Sequence, residues 1–178
     1  MDDSARVRAE YSADASNYRV VPQVVVFPRH TDEVLAALAV AREHRVPITT
    51  RGGGTSIAGN SVGPGMVVDF SQHLNKILDL DPEARTARVQ PGVIMTALQR
   101  AAAPHGLRFG PDPSSQARAT LGGMIGNNAC GPHALSMGRT ADNTRSLKVV
   151  DGTGRVFEAG AGAEAVAQVP GLDGLVAQ

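Results

Sequence analysis

The sequence is poor in cysteine and in aromatic residues: it has one cysteine, two tyrosines, four phenylalanines and no tryptophan. A single cysteine excludes a disulfide framework and any four-cysteine metal or cluster site within the chain. The scarcity of aromatic rings argues against platforms on which sugars or nucleic-acid bases stack. The 17 basic and 17 acidic residues give a net charge of zero. No nucleic-acid partner is therefore expected, nor a general attraction to acidic membranes.

Long apolar runs and a targeting signal are also missing. No segment approaches the roughly 20 apolar residues of a membrane-spanning helix. The first residues, Met-Asp-Asp-Ser, lack the apolar core of a signal peptide. We therefore expect a cytoplasmic protein without a membrane span. The five histidines follow no metal-binding spacing, so no metal site is predicted.

What the chain does contain is enough apolar material for a folded core and many turns. It has 178 residues, of which 42% are hydrophobic, together with 20 glycines and 11 prolines. This length suits one domain or two small lobes. The pattern along the chain predicts four parts: a polar lead-in at 1–20, a first lobe at 21–72, a second lobe at 73–160, and a linker at 161–178.

The first lobe is predicted to be a small parallel βαβ unit. Short runs at 24–27, 48–50 and 66–70, rich in valine, isoleucine and threonine, indicate strands. Between the first two lies an apolar stripe of helical period, with Thr31 as a suitable N-cap and Pro47 as its stop. The lead-in before it offers caps and turns but no periodic pattern.

The second lobe is predicted to be larger and mostly antiparallel. Hairpins are indicated at 77–89 and 147–158, each with turn-forming residues between two strand-like segments. A helix at 94–103 is predicted to present Ile94, Ala97, Leu98 and Ala101 on one face. The expected fold class is α+β.

The run "RGGGTSIAGN" at 51–60 places bare backbone directly after a strand. It is not a P-loop, because it contains no lysine. It is not a dinucleotide fingerprint either, because Ile57 stands where the third glycine belongs and 61–65 cannot form a helix. Glycine exposes amide groups to a ligand, and successive amides bind anions.

A second glycine-rich stretch, at 109–143, has no convincing element. Taken alone, it is equally compatible with a turn-rich connection and with a binding loop. Two such stretches, one in each lobe, favour an extended ligand shared between the lobes, such as a dinucleotide.

Together these runs resemble the FAD-linked oxidases of the vanillyl-alcohol oxidase, or PCMH, type. The resemblance covers about 20–160 and rests on "PRHTDEV", "VPITTRGGGTSIAG", "VQPGV", "HGLRFGPDPSS" and "TLGGMIGNNACG". It is greatest to the branch of glycolate oxidase and the D-lactate and D-2-hydroxyglutarate dehydrogenases. It implies a PCMH-type FAD-binding fold and FAD as cofactor.

The resemblance also implies which residues bind FAD. The pyrophosphate would lie on the first glycine loop, and the flavin ring and ribityl chain along the second stretch. The first set is Gly52, Gly53, Gly54, Thr55 and Ser56, closed by Gly59 and Asn60. The second set is Pro111, Asp112, Ser115, Thr120, Gly122, Gly123, Gly126, Asn127, Asn128 and Gly131. A side chain at Gly53 or Gly54 is predicted to weaken FAD binding without disturbing the fold.

Two departures from the family pattern carry further predictions. Members with covalently attached flavin often have a histidine just after the glycine run, where this chain has Thr55. Noncovalent FAD is therefore expected. The family's fold also continues into a cap domain that supplies the substrate pocket. Since 1–178 would end before that cap, the chain alone is predicted to be incomplete as an enzyme, either a fragment or one piece of a split enzyme.

The activity implied by the resemblance is oxidation of a 2-hydroxy acid such as glycolate, D-lactate or D-2-hydroxyglutarate. A hydride passes from the substrate to flavin N5, and an iron–sulfur or other electron-acceptor partner would take the electrons. No catalytic residue is identified. Two alternatives stay open: another oxidase or reductase on the same FAD fold, and a flavin-binding module or split-enzyme subunit without turnover of its own.

Three single residues near these stretches admit two interpretations each. Cys130 is either a flavin-attachment or redox thiol, or a small packing residue. His133 is either an acid or base near the flavin, or a pocket-lining residue, and the sequence indicates no carboxylate partner for it. Arg51 either neutralises phosphate or faces solvent.

Overall fold

A computed structural model of the chain describes residues 1–160. The predicted linker at 161–178 lies outside these residues. The helices, in chain order, are α1 (Ala5–Glu10), α2 (Thr31–Glu43), α3 (Met95–Ala102), α4 (Leu121–Gly126) and α5 (Ala134–Met137). The strands are β1 (Val24–Val26), β2 (Ile48–Arg51), β3 (Met66–Asp69), β4 (Ile77–Asp81), β5 (Thr86–Val89), β6 (Ser146–Val150) and β7 (Val156–Gly160).

The first lobe is the predicted parallel βαβ unit. Its sheet has the order β1-β3-β2, and both pairings are parallel. The central strand β3 is buried throughout, which explains why its sequence is a continuous apolar run up to Asp69. Ala37 and Ala41 of α2 pack with Met66 and Val68 to form the core of this lobe. Thr31, the predicted N-cap of α2, is instead its first helical residue, and the cap position is His30, one residue earlier.

The second lobe contains the two predicted antiparallel hairpins, β4–β5 and β6–β7. Its core gathers Val93, Met95, Leu98, Leu121 and Met124. The predicted buried face of α3 was partly wrong. Met95 is fully buried, whereas Ile94 is 40% exposed. The buried residues of α3 are Met95, Leu98 and Ala102. Leu98 was predicted correctly, and Met95 and Ala102 take the places expected for Ile94 and Ala101, one residue earlier.

The expectation that 1–20 has no regular structure was wrong. Ser4 caps α1 by accepting a hydrogen bond from the backbone N–H of Val7. The backbone of Asp2 exchanges two hydrogen bonds with Val25 of β1, at 2.8 and 2.9 Å. The lead-in is therefore docked on the first lobe. The boundaries proposed for the four parts stay predictions.

The stretch 109–143 also has more structure than its sequence indicated. It contains α4, α5 and a 3₁₀ turn at Ala141–Asn143. Each of these elements has six residues or fewer, which is too short to show a helical period in the sequence. Within 1–160, no helix is both long and apolar enough to cross a bilayer. The cytoplasmic location stays a prediction.

Candidate functional site

The two glycine-rich stretches meet where the lobes join. Gly52 faces the side chain of Thr120, and Gly53 faces the carbonyl oxygen of Arg118, so closely that a Cβ on either glycine would overlap these atoms. Farther along, the Asn60 side-chain amide donates a hydrogen bond of 3.0 Å to Oδ1 of Asn127. The structure therefore brings together the two segments that the sequence analysis assigned to one ligand.

The first stretch forms a loop with a run of free amide groups. Gly54 and Gly59 adopt φ angles of 64° and 75°, in the left-handed region that favours glycine. The Ser56 hydroxyl accepts hydrogen bonds from the backbone N–H groups of Ala58 and Asn60, at 3.2 and 3.3 Å. Within 1–160, the N–H groups of residues 53–56 donate to no other group of the chain. Such a run of successive free donors is a site for an anion.

The second stretch presents α4 beside this loop. Thr120 is buried, and its Oγ1 caps α4 by accepting a hydrogen bond of 3.3 Å from the N–H of Gly123. Gly122 lies against Pro91, where a Cβ would come within 2.7 Å. At Gly126, by contrast, a Cβ would meet nothing within 4 Å. Gly122 is thus required by packing, whereas Gly126 leaves open space beside the chain.

Asparagine side chains order the turn that follows α4. The amide of Asn127 donates to the carbonyl of Gly123 at 3.0 Å, while its oxygen accepts from Asn60. Asn128 has a φ angle of 44°, and its Oδ1 accepts a hydrogen bond from the N–H of Ala141 at 3.0 Å. Both side chains therefore make hydrogen bonds to other residues of the protein while they remain exposed at its surface.

Asp112 is the carboxylate partner of His133 that the sequence did not reveal. Its side chain is 14% exposed and contacts Nδ1 of the His133 ring. The backbone N–H of His133 also donates to it at 3.3 Å, and a guanidinium nitrogen of Arg108 lies 3.8 Å away. Gly131 is pressed against Asp112 and has no room for a Cβ. The imidazole is therefore held through Nδ1 and leaves Nε2 for another partner.

The pKa of Asp112 lies below its ordinary value of 3.8, chiefly because the His133 side chain donates a hydrogen bond to the ionised carboxylate. Replacing His133 by alanine is expected to raise the pKa of Asp112 toward that value. Since the pKa is lowered by folding, the contact stabilises the folded chain above about pH 4 and is lost as pH falls through the folded-state pKa. Carbon NMR titration of the Asp112 carboxyl tests this, and identical pKa values in both proteins would contradict it.

The remaining assigned residues support the local fold. Pro111 is fully buried before Asp112. The carbonyl of Ser115 accepts hydrogen bonds of 2.8 Å from the N–H groups of Arg118 and Ala119, which shapes the turn that meets Gly53. Cys130 is exposed, so the packing interpretation of this thiol was wrong. In the described part of the chain, no group of three histidine, cysteine or acidic side chains is arranged to hold a metal ion.

The solvent-facing interpretation of Arg51 was wrong, whereas its interpretation as a phosphate-neutralising residue stays a prediction. Its guanidinium donates to the carbonyls of Ser61 and Ala13, at 3.2 and 2.9 Å, and lies 5.0 Å from the ring centroid of Tyr11. The Arg51 side chain therefore stabilises the base of the glycine loop through these contacts.

An open cleft of about 580 Å³ lies on the lobe boundary. Of the assigned cofactor residues, Gly52, Gly53 and Thr120 line it, and the others do not. Its polar wall includes Tyr11 and Asp69, which the sequence analysis did not single out. The Tyr11 hydroxyl donates a hydrogen bond of 2.6 Å to the buried Asp69 carboxylate. Burial and this carboxylate together raise the pKa of the Tyr11 hydroxyl well above its ordinary value.

Comparisons with known proteins agree with this geometry. The profile of the FAD binding domain family matches residues 22–160. The chain is 43% identical over 162 residues to the glycolate oxidase subunit GlcD of Bacillus subtilis, and the match covers 89% of the chain and 34% of that protein. It is 38% identical over 178 residues to D-2-hydroxyglutarate dehydrogenase of Pantoea ananatis, covering 96% of the chain and 17% of that enzyme.

Solved structures show the same architecture. Alkyldihydroxyacetonephosphate synthase superposes with a TM-score of 0.78 at 25% identity, over 93% of the chain and 33% of that protein. The 6-hydroxy-D-nicotine oxidase of Arthrobacter nicotinovorans superposes with a TM-score of 0.79 at 22% identity, over 90% of the chain and 35% of that enzyme. The predicted PCMH-type α+β fold is thus confirmed, and the chain spans about a third of the length of GlcD. The chain belongs to the FAD binding domain family, and FAD is its cofactor.

Proposed function

We propose that this chain holds FAD noncovalently, with the pyrophosphate on the free amides of the loop at 53–56. The observation that carries the proposal is this run of four backbone donors with no partner in the described chain. A doubly charged bridge needs aligned N–H groups and no bulky side chain, which the glycines provide. Asn60 of the first lobe and Asn127 of the second lobe are joined by a hydrogen bond and close the site where the lobes meet.

The flavin ring and ribityl chain are proposed to lie along the residues assigned from 111 to 131. The open space at Gly126 is a place on this wall where a ligand reaches the backbone without displacing protein atoms. Thr120 fixes the start of α4 from within. Asp112 orients His133 through Nδ1, which leaves Nε2 as a hydrogen-bonding group near the ring. When bound, FAD supplies the acceptor for a hydride.

For the whole protein we propose oxidation of a 2-hydroxy acid of the glycolate, D-lactate or D-2-hydroxyglutarate type. The support is its similarity to proteins with these names, including a D-lactate dehydrogenase of Anaerostipes hadrus that is 35% identical over 142 residues. The match covers 34% of GlcD, so the substrate pocket is proposed to lie in a cap domain outside 1–178. GlcD is named as a subunit, which favours an electron-accepting partner chain.

The second candidate is an FAD-binding subunit with no turnover of its own. The small share of each relative that the chain spans favours it. Anaerobic mixing of the FAD-loaded chain with each acid tests where the substrate site lies. Bleaching of the flavin absorption band by one of the acids would place the substrate site within this chain and overturn the subunit without turnover. A persistent band is expected from both candidates, because the substrate pocket is proposed to lie outside 1–178.

FAD is expected to leave the protein on acid denaturation, because Thr55 cannot form the histidyl bond found in covalent relatives. The chain is loaded with FAD, freed of excess by gel filtration and precipitated with acid, and the spectra of supernatant and pellet are recorded. The flavin should appear in the supernatant. Flavin that stays in the pellet would contradict noncovalent attachment, and a chain that never retains FAD would contradict the site.

A further inference from the structure

The glycine loop is held at three points by residues 11–16, which we call the N-terminal clamp. At its start, Arg51 lies over the Tyr11 ring and donates to the carbonyl of Ala13. At its middle, the carbonyl of Gly54 accepts a hydrogen bond of 3.0 Å from the N–H of Ala15. Its end is held at Ser61. The clamp thus contacts the loop on both sides of the free amides.

Asp14 makes the contact at the end of the loop. Its Oδ2 accepts hydrogen bonds from the hydroxyl and the backbone N–H of Ser61, at 2.8 and 3.4 Å. Its Oδ1 accepts from the backbone N–H of Ser16 at 2.8 Å and from the Ser16 hydroxyl. Ser61 is 7% exposed and its carbonyl accepts from Arg51. One carboxylate therefore ties the clamp to the base of the loop.

Burial acts to raise the pKa of Asp14, but the hydrogen bonds from Ser16 and Ser61 outweigh it and leave the pKa below its ordinary value. The carboxylate is thus charged near neutral pH, where its hydrogen bonds are charge-assisted and stronger than neutral ones.

We propose that Asp14 is a positioning residue for the cofactor: it holds the free amides of 53–56 in the arrangement that binds the pyrophosphate. The inference rests on the function proposed above. A glycine-rich loop has many backbone conformations, and fixing one of them on binding costs free energy. A loop that is already fixed binds more tightly, because that cost has been met during folding.

The contacts separate this role from a general role in stability. The side-chain partners of Asp14 are Ser16 and Ser61, and neither belongs to the two buried apolar clusters. Removing the carboxylate loosens the loop while the cores of both lobes stay packed. Affinity for the cofactor should therefore change more than thermal stability does.

The test measures FAD and ADP binding to the full chain and to Asp14→Ala by calorimetry, with the melting temperature of each protein. ADP carries the pyrophosphate without the flavin. Asp14→Ala is expected to weaken both ligands by about tenfold, equivalent to about 1.4 kcal/mol. The matched control is Asp2→Ala, since Asp2 lies on the same lead-in and its side chain caps the N–H of Ser4 away from the loop. This control should bind FAD like the wild type.

A double-mutant cycle with Ser61→Ala tests whether Asp14 affects FAD affinity through its contact with Ser61 or through a general disturbance of the chain. If Asp14 acts through Ser61, adding the second substitution to Asp14→Ala should change FAD affinity little further. Should Asp14→Ala fail to fold, Asp14→Asn and Ser61→Ala replace it, with the same expected direction.

The outcomes separate the two proposals. No FAD binding by the wild-type chain would overturn the proposed function and the clamp together. If the wild type binds FAD and Asp14→Ala binds it equally tightly, the positioning role of Asp14 is overturned and the proposed function stands. Fully additive effects of Asp14→Ala and Ser61→Ala would also overturn that role.

Discussion

Replacing Gly53 by valine is expected to lower the free energy of unfolding by about 2 kcal/mol or more, with loss of FAD binding as a consequence. The Cβ would overlap the carbonyl oxygen of Arg118. That oxygen belongs to the backbone of a turn fixed by hydrogen bonds to the carbonyl of Ser115, so it cannot swing aside as a flexible side chain would. The segment at 115–119 must move away from the loop, and the lobes separate where they join.

Urea denaturation followed by circular dichroism measures this effect, and Gly152→Val is the matched control. Gly152 lies in the β6–β7 turn, where a Cβ meets nothing within 4 Å. Valine there should leave the midpoint almost unchanged. A Gly53→Val protein as stable as the wild type, with FAD binding alone weakened, would show that the Arg118 contact opens at little cost.

The close packing of Gly53 against Arg118 corrects the expectation that the glycine loop is independent of the fold. The sequence assigned Gly52 and Gly53 to the cofactor, and the structure shows that packing also requires them. Both requirements select the same residue type, so composition alone does not separate them. Only the position of the turn at 115–119, far along the chain, reveals the second requirement.

Much of the fold was predictable because its signals are local. In the parallel sheet, β1 and β3 are mainly apolar runs and β2 contains isoleucine and two threonines, which favour strands. The hairpins have turn residues between their strands. The family was predictable because its two motifs are long. The face of α3 was less predictable, since Ile94 and Met95 are both apolar and only packing against Leu121 and Met124 decides which is buried.

The contacts that shape the site were not predictable because they join distant residues. Asp14 and Ser61 are 47 residues apart, and Tyr11 and Asp69 are 58 residues apart. Asp112 and His133 are separated by 21 residues and lie in a stretch without visible periodicity. A single sequence offers no local pattern for such pairs. The docking of 1–20 on the first lobe was missed for the same reason.

The clearest test of where FAD lies is a substitution that adds bulk in open space beside the protein, and Gly126 offers this position. It is the last residue of α4, it is exposed, and a Cβ there meets nothing within 4 Å. Its φ lies outside the left-handed region, so valine is not strained at this position. Glycine is the poorer helix former by a few tenths of a kcal/mol. Gly126→Val should therefore be as stable as the wild type.

If the flavin lies along α4, the valine side chain occupies space that the ligand needs. We expect FAD affinity to fall by about tenfold or more, or at least about 1.4 kcal/mol, while the urea midpoint stays near that of the wild type. Fluorescence titration of FAD measures the affinity, and Gly152→Val again serves as the control with added bulk far from α4. Because a Cβ at Gly126 meets no neighbouring atom within 4 Å, a weakened affinity at an unchanged urea midpoint reports on the ligand itself. Unchanged affinity would mean that FAD does not pass this end of α4, and the assignment of Gly126 would fail while the anion site at 53–56 could still stand.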